Sequence, residues 1–196
     1  MKSRYPVAIS SICALVSALI ICGCGPYATN IVDLNRDKYV CKINPAQFNN
    51  FQGKRFLLST IIDESKNTSN MGYYNPDKTI GYRLYSAENT LQQPLVTYFW
   101  YSLKKSFECA GVRIEEYGPI YDAELSLIFK SLTDEEIKFT MLVTKIGKLI
   151  YKQDYVVKMP EAQSKDHAVL EQRAYGMLDS IVRTILNDPD FQKVFL

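Results

Sequence analysis

The chain has 196 residues, with 23 Lys+Arg against 21 Asp+Glu, and 47% of its side chains are hydrophobic. That charge balance leaves no clustered basic footprint for nucleic acid, and the apolar content is enough for a packed core. The length suits one domain plus a tether.

The first 24 residues set the context. Lys2 and Arg4 open the chain, and a mostly apolar run follows from Val7 to Cys22. This is the layout of a secretory signal peptide. The run is short for a membrane span, which takes about 20 predominantly apolar residues, and Ser10, Ser11 and Ser17 interrupt it. An ordinary A-x-A-like cut fits Ile21-Cys22-Gly23 poorly. The tail Ile21-Cys22-Gly23-Cys24 resembles a bacterial lipobox. The resemblance implies that Cys24 takes a diacylglyceryl thioether, that the chain is cut after Gly23, and that the new amino end is acylated. Two or three acyl chains at about 0.8 kcal/mol per buried CH₂ make release negligible. Lys2 and Arg4 are the only charges in residues 1–23, so the mature chain is expected to be neutral. Gly25, in place of an Asp after the lipidated Cys, favours the outer membrane by resemblance to Gram-negative sorting rules. The expected location is therefore the outer membrane, lipid-anchored and facing the periplasm.

Residues 25–53 have no sustained period and are punctuated by Asn, Pro and Gly. They read as a tether, with a short strand near 39–43. Cys41 and Cys109 are the two cysteines left in the mature body. An oxidising envelope permits a disulfide between them; the alternative is two buried thiols. Residues 54–63 read as an interior strand, with Phe56, Leu58, Thr60 and Ile62 on one face. Residues 64–92 form a long irregular stretch carrying Met71, Tyr73, Tyr74, Tyr82 and Tyr85. Those tyrosines are candidate partner anchors, or they fold back over a sheet edge.

A helix is predicted over 93–110, with Leu95, Phe99, Leu103 and Phe107 as its stripe and Trp100 in the core. Pro94 suits its first turn, Thr90 and Gln93 have capping-box spacing, and Gly111 is its stop. Strands follow at 111–115, 122–132, 137–144 and 149–159, with a turn at 145–148 in which Gly147 takes positive φ. A second helix is predicted over 166–187. Leu170, Ala174, Met177, Leu178, Ile181, Val182 and Ile185 line one side; Glu171, Arg173, Asp179 and Arg183 line the other. The expected fold is α+β, a mixed sheet of about five strands with both amphipathic helices on one face. The expected division is signal peptide 1–23, lipidated tether 24–53 and a single domain 54–196.

Several landmarks carry a second resemblance. They are Thr79-Ile80-Gly81-Tyr82-Arg83, Cys109-Ala110-Gly111-Val112, Asp122-Ala123-Glu124-Leu125, and Gly147-Lys148 followed by Tyr151 and Tyr155. Over about residues 54–187 the chain is similar to YajG-like outer-membrane lipoproteins and, more loosely, to auxiliary lipoproteins of ABC-type transport systems. The resemblance implies an envelope accessory role and carries over no catalytic residue.

Catalytic and metal-binding patterns are absent from the sequence. His167 is the one histidine and lacks the neighbouring ligands a metal site needs. There is no G-x-S-x-G, no P-loop and no G-x-G-x-x-G. Asp134-Glu135-Glu136 reads as a solvated turn. The expectation is a non-enzymatic, membrane-tethered module without cofactor that binds an envelope protein complex. The alternative is a lipid- or glycan-binding carrier or hydrolase with a pocket between sheet and helices.

Overall fold

The computed structural model describes residues 30–69, 71–85, 94–118 and 120–195. Among the described residues, nine strands and three α-helices form an α+β fold with two sheets rather than one. The larger sheet is built from β2 (Arg55–Asp63), β6 (Arg113–Glu115), β7 (Ala123–Leu132), β8 (Glu136–Lys145) and β9 (Lys148–Lys158), in the order β6-β2-β7-β8-β9. The smaller is built from β1 (Asn30–Asn35), β3 (Thr68–Ser69), β4 (Gly72–Tyr74) and β5 (Ile80–Tyr85), in the order β1-β5-β4-β3.

In the larger sheet β2 pairs in parallel with both β6 and β7, while β7, β8 and β9 are antiparallel. Helices α1 (Pro94–Cys109) and α2 (His167–Asn187) cover one face of it, and a short α3 (Pro189–Lys193) closes the end. The covered face is a continuous apolar layer: Phe56, Leu58, Leu125, Leu127, Phe139 and Met141 meet Leu103, Phe107, Leu178 and Ile181, all fully buried. Burial of each such side chain contributes about 1.5–3 kcal/mol. The alternation expected along β2 holds through Leu58 and then slips. A bulge at Ser59 shifts the register against β7, so Ile61 turns inward and Ile62 outward.

The ends of these elements follow from single residues. Gly111, at φ +93, ends α1 in a Schellman motif: its N–H donates to the Glu108 carbonyl (3.0 Å), and the Val112 N–H donates to the Phe107 carbonyl (3.1 Å). The β8–β9 turn places Ile146 at φ 52 and Gly147 at φ 71, a type I′ hairpin. Asp166 caps α2 by accepting from the N–H groups of Ala168 and Val169.

Residues 30–53 correct the expected tether. They are part of the folded body: β1 is followed by 3-10 turns at Arg36–Lys38 and Pro45–Phe51, and Val32, Leu34, Tyr39, Ile43, Phe48 and Phe51 are buried. The strand expected near 39–43 is an irregular segment, and the true strand lies at 30–35. Likewise the stretch read as irregular from 64 to 92 contains β3, β4 and β5.

Candidate functional site

The smaller sheet has two faces of different character. Its inner face carries Val32, Leu34, Tyr73, Ile80, Tyr82 and Leu84, all buried. Tyr73 and Tyr82 are a cross-strand pair whose rings stack at 4.8 Å, and Tyr73 in turn meets Phe99 of α1. The Tyr82 hydroxyl donates to Asp134 Oδ2 at 2.8 Å. Burial, with the Asp134 carboxylate beside it, pushes the Tyr82 phenol well above its ordinary value. Burial likewise raises Tyr73. These two rings are core, which corrects their reading as partner anchors. Asp134 is buried as well and not part of a solvated turn: Tyr82 donates to its Oδ2 from 52 residues away, while its Oδ1 has no hydrogen-bond partner among the described residues.

The outer face is built differently. Ile31, Gly81 and Tyr74 form one row across β1, β5 and β4, and Asp33, Arg83 and Gly72 form the next. A Cβ on Gly72 would lie 1.8 Å from the Tyr82 carbonyl oxygen, so only glycine fits this close backbone approach. The glycines make the floor of a shallow groove walled by Ile31, Met71, Tyr74 and Arg83. Ile31 is 44% and Met71 56% exposed. Arg83 is paired with Asp33 through two guanidinium nitrogens, at 2.5 and 2.8 Å. The hydrogen bond from Arg83 holds the Asp33 carboxyl below its ordinary value, so the face carries a closed ion pair and no free charge at its centre.

Among the described side chains of the tyrosines singled out in the sequence, Tyr74 is the one in the outer row, while Tyr73 and Tyr82 border the groove from strands whose rings are buried on the inner face. Tyr85 ends β5, opposite Asn35, and its side chain lies outside the described residues, as does Cys24. Ile31 was missed because β1 was read as tether. Ile31, Val32 and Leu34 are too few, and too closely flanked by Asn and Asp, to give a sustained period.

The segment after β1 is held to the helices by a buried polar cluster. Asp179 of α2, only 2% exposed, accepts from the Tyr39 hydroxyl, the Lys42 N–H (2.9 Å) and the Ser106 hydroxyl (3.3 Å). Its assignment to the polar side of α2 is therefore corrected. Burial, together with the Asp179 hydrogen bond, pushes the Tyr39 phenol far up. Lys105 donates to the Tyr39 carbonyl, and Arg183 donates to the Lys42 carbonyl at 2.6 Å. Cys41 and Cys109 form a disulfide between this segment and α1, with Cα atoms 6.5 Å apart. Tyr175 grips the end of β1, accepting from the Asn35 N–H at 3.1 Å with its hydroxyl 2.8 Å from the Asn35 carbonyl. Trp100 donates its indole N–H to the Leu58 carbonyl at 2.8 Å, beyond the stretch of β2 that β6 covers.

His167 bonds through Nε2 to Asn30 Oδ1 at the start of α2. Among the described residues no group of three or more His, Cys, Asp or Glu is placed to hold a metal ion. No described helix is long and apolar enough to cross a membrane.

No family model matches the chain, and no curated protein matches it in sequence. Among solved structures, protein XCC0632 from Xanthomonas campestris, of family-model DUF330, is similar with a TM-score of 0.55 and 12% identity, over 80% of this chain and 92% of that one. A second solved structure, titled only as an uncharacterized protein, matches at TM-score 0.43 and 15% identity, over 68% of this chain and 97% of that one. At 12% identity the first likeness speaks to architecture: this chain has a fold similar to that of a bacterial DUF330 protein.

Proposed function

We propose that this protein is a lipid-anchored accessory lipoprotein of the bacterial envelope, held at the periplasmic side of the outer membrane through Cys24 and binding a protein partner without catalysis. The observation that carries the reading is the sequence Ile21-Cys22-Gly23-Cys24 behind a charged start and an apolar run, only six positions before the first residue of β1. The similar fold of protein XCC0632 from Xanthomonas campestris is compatible with it. The resemblance to YajG-like and ABC-transport auxiliary lipoproteins belongs to the same reading, and it makes a transport or assembly complex the class of partner. The layer between the larger sheet and the helices is filled by aromatic and aliphatic side chains, which favours a binding module over a carrier with a deep pocket.

The test is Cys24→Ser expressed with the native leader. The wild-type chain should fractionate with membranes and carry acyl chains at Cys24 by mass spectrometry. The variant should lose both while keeping its far-UV circular dichroism. Membrane retention unchanged in the variant would refute the anchor.

A further inference from the structure

We propose that the outer face of the smaller sheet lies against the phospholipid bilayer to which Cys24 is tied, with Ile31 and Met71 entering the headgroup boundary. This rests on the anchor reading above and adds an orientation to it. Five residues, 25–29, separate Cys24 from Asn30. Six Cα steps at 3.3–3.6 Å span at most about 20 Å. The start of β1 is therefore confined to within about 20 Å of the acylated residue, not at the end of a long spacer.

The first outward side chain after that short connection is Ile31, and its row neighbours are Gly81 and Tyr74. Met71 stands beside them, and the one charge pair on the face, Arg83 with Asp33, is closed on itself. A shallowly grooved face whose charges are paired, with two exposed apolar side chains and a tyrosine, suits the headgroup boundary, where apolar surface enters about 5–10 Å and amphipathic rings sit at the polar level. The acyl chains supply the affinity; the face sets which side of the body looks at the lipid.

The opposite side of the molecule is then directed into the periplasm. Helix α2 runs alongside β1, from His167 at Asn30 to Tyr175 at Asn35, so its axis follows the plane of the sheet. Behind the smaller sheet lies α1, whose Phe99 meets Tyr73 on one side and Phe129 of the larger sheet on the other. The side away from the bilayer is therefore the face of the larger sheet that the helices leave uncovered, where Val156 is 51% exposed between the buried Tyr155 and Val157.

The test uses the full acylated protein on vesicles of phosphatidylethanolamine and phosphatidylglycerol containing a doxyl-labelled lipid. An environment-sensitive dye is attached at Met71→Cys or, separately, at Val156→Cys, under non-reducing conditions. Flotation with the vesicles reports the anchor, and quenching reports the orientation. Since a face at the headgroup boundary enters about 5–10 Å, emission at position 71 should fall by about half while emission at 156 is retained. Ser69→Cys, on the same sheet, repeats the measurement if Met71→Cys disturbs folding. Flotation with equal emission at 71 and 156 overturns the orientation and leaves the anchor standing. Failure to float overturns both. Disulfide crosslinking between copies of the unlabelled Met71→Cys variant on the vesicle, through the introduced thiol, assigns the face to a second copy and overturns the proposal.

Discussion

Asp179→Ala tests how the region after β1 is held to the helices. In the folded protein this carboxylate accepts three hydrogen bonds, from the Tyr39 hydroxyl, the Lys42 N–H and the Ser106 hydroxyl, in a site closed to solvent. Alanine removes the shared acceptor from two buried hydroxyls, Tyr39 and Ser106, and from the part-buried Lys42 N–H. Each orphaned donor costs about 1–3 kcal/mol, and partial relaxation around the smaller side chain admits water to some of them. The expected loss is about 3–5 kcal/mol, a large part of the roughly 5–15 kcal/mol that a domain possesses. Tyr39→Phe removes one donor and should cost only about 0.5–1.5 kcal/mol. The double variant should then cost less than the sum of the two, since the phenyl ring introduced by Tyr39→Phe needs no acceptor. Urea unfolding followed by far-UV circular dichroism gives the energies. Amide exchange at Lys42 gives the location, and its protection should fall in Asp179→Ala and persist in Tyr39→Phe. A loss below about 1 kcal/mol in Asp179→Ala, or additive variants, would refute the reasoning that one carboxylate holds this segment.

Three further outcomes follow from other parts of the structure. Tyr82→Ala should cost about 3–5 kcal/mol, because it empties a buried site and leaves Asp134 without its donor, whereas Tyr74→Ala, in the outer row, should shift the urea midpoint little. Ile146→Asn should raise stability by about 1 kcal/mol, because a β-branched residue is held at φ 52 with nearly complete exposure and asparagine tolerates that conformation; an unchanged midpoint would contradict this. Burial alone would raise the Asp188 carboxyl, yet donors from Tyr155, Tyr151 and the Asp190 and Phe191 N–H groups outweigh it and hold it below the ordinary value. A depressed carboxylate contributes stability above its unfolded pKa and loses it as pH falls through the folded one. Asp188→Asn should therefore be less stable at neutral pH and show a shallower loss on acidification, read from urea midpoints across the acid range.

The pattern of success along the chain has a physical cause. Both long helices and the strands from Ala123 to Lys158 were legible because their apolar residues repeat at 3.6 or 2 over ten or more positions, and such periods need no knowledge of a partner. Gly111 and Gly147 were legible for a related reason: a stop and a tight turn each demand positive φ, and glycine adopts it without a steric penalty. The smaller sheet was not. Its strands have at most six residues, are rich in Asn, Gly and Tyr, and β1 pairs in parallel with a strand fifty positions away. Nothing local in Asn30–Asn35 distinguishes it from a tether until β5 is beside it.

The sequence by itself determined the α+β class, the two helices, the antiparallel strands and the anchor motif at Cys24 as an expectation. Tertiary structure decided which polar residues are interior. Asp134 and Asp179 look solvated in their own segments, and each is buried because its donors arrive from elsewhere: Tyr82 for Asp134, and Tyr39, Lys42 and Ser106 for Asp179. It also decided which tyrosines are surface. Tyr73 and Tyr74 are adjacent in the chain and on opposite sides of one strand, since successive side chains of a strand alternate, and only the packing of α1 against one side made Tyr73 core.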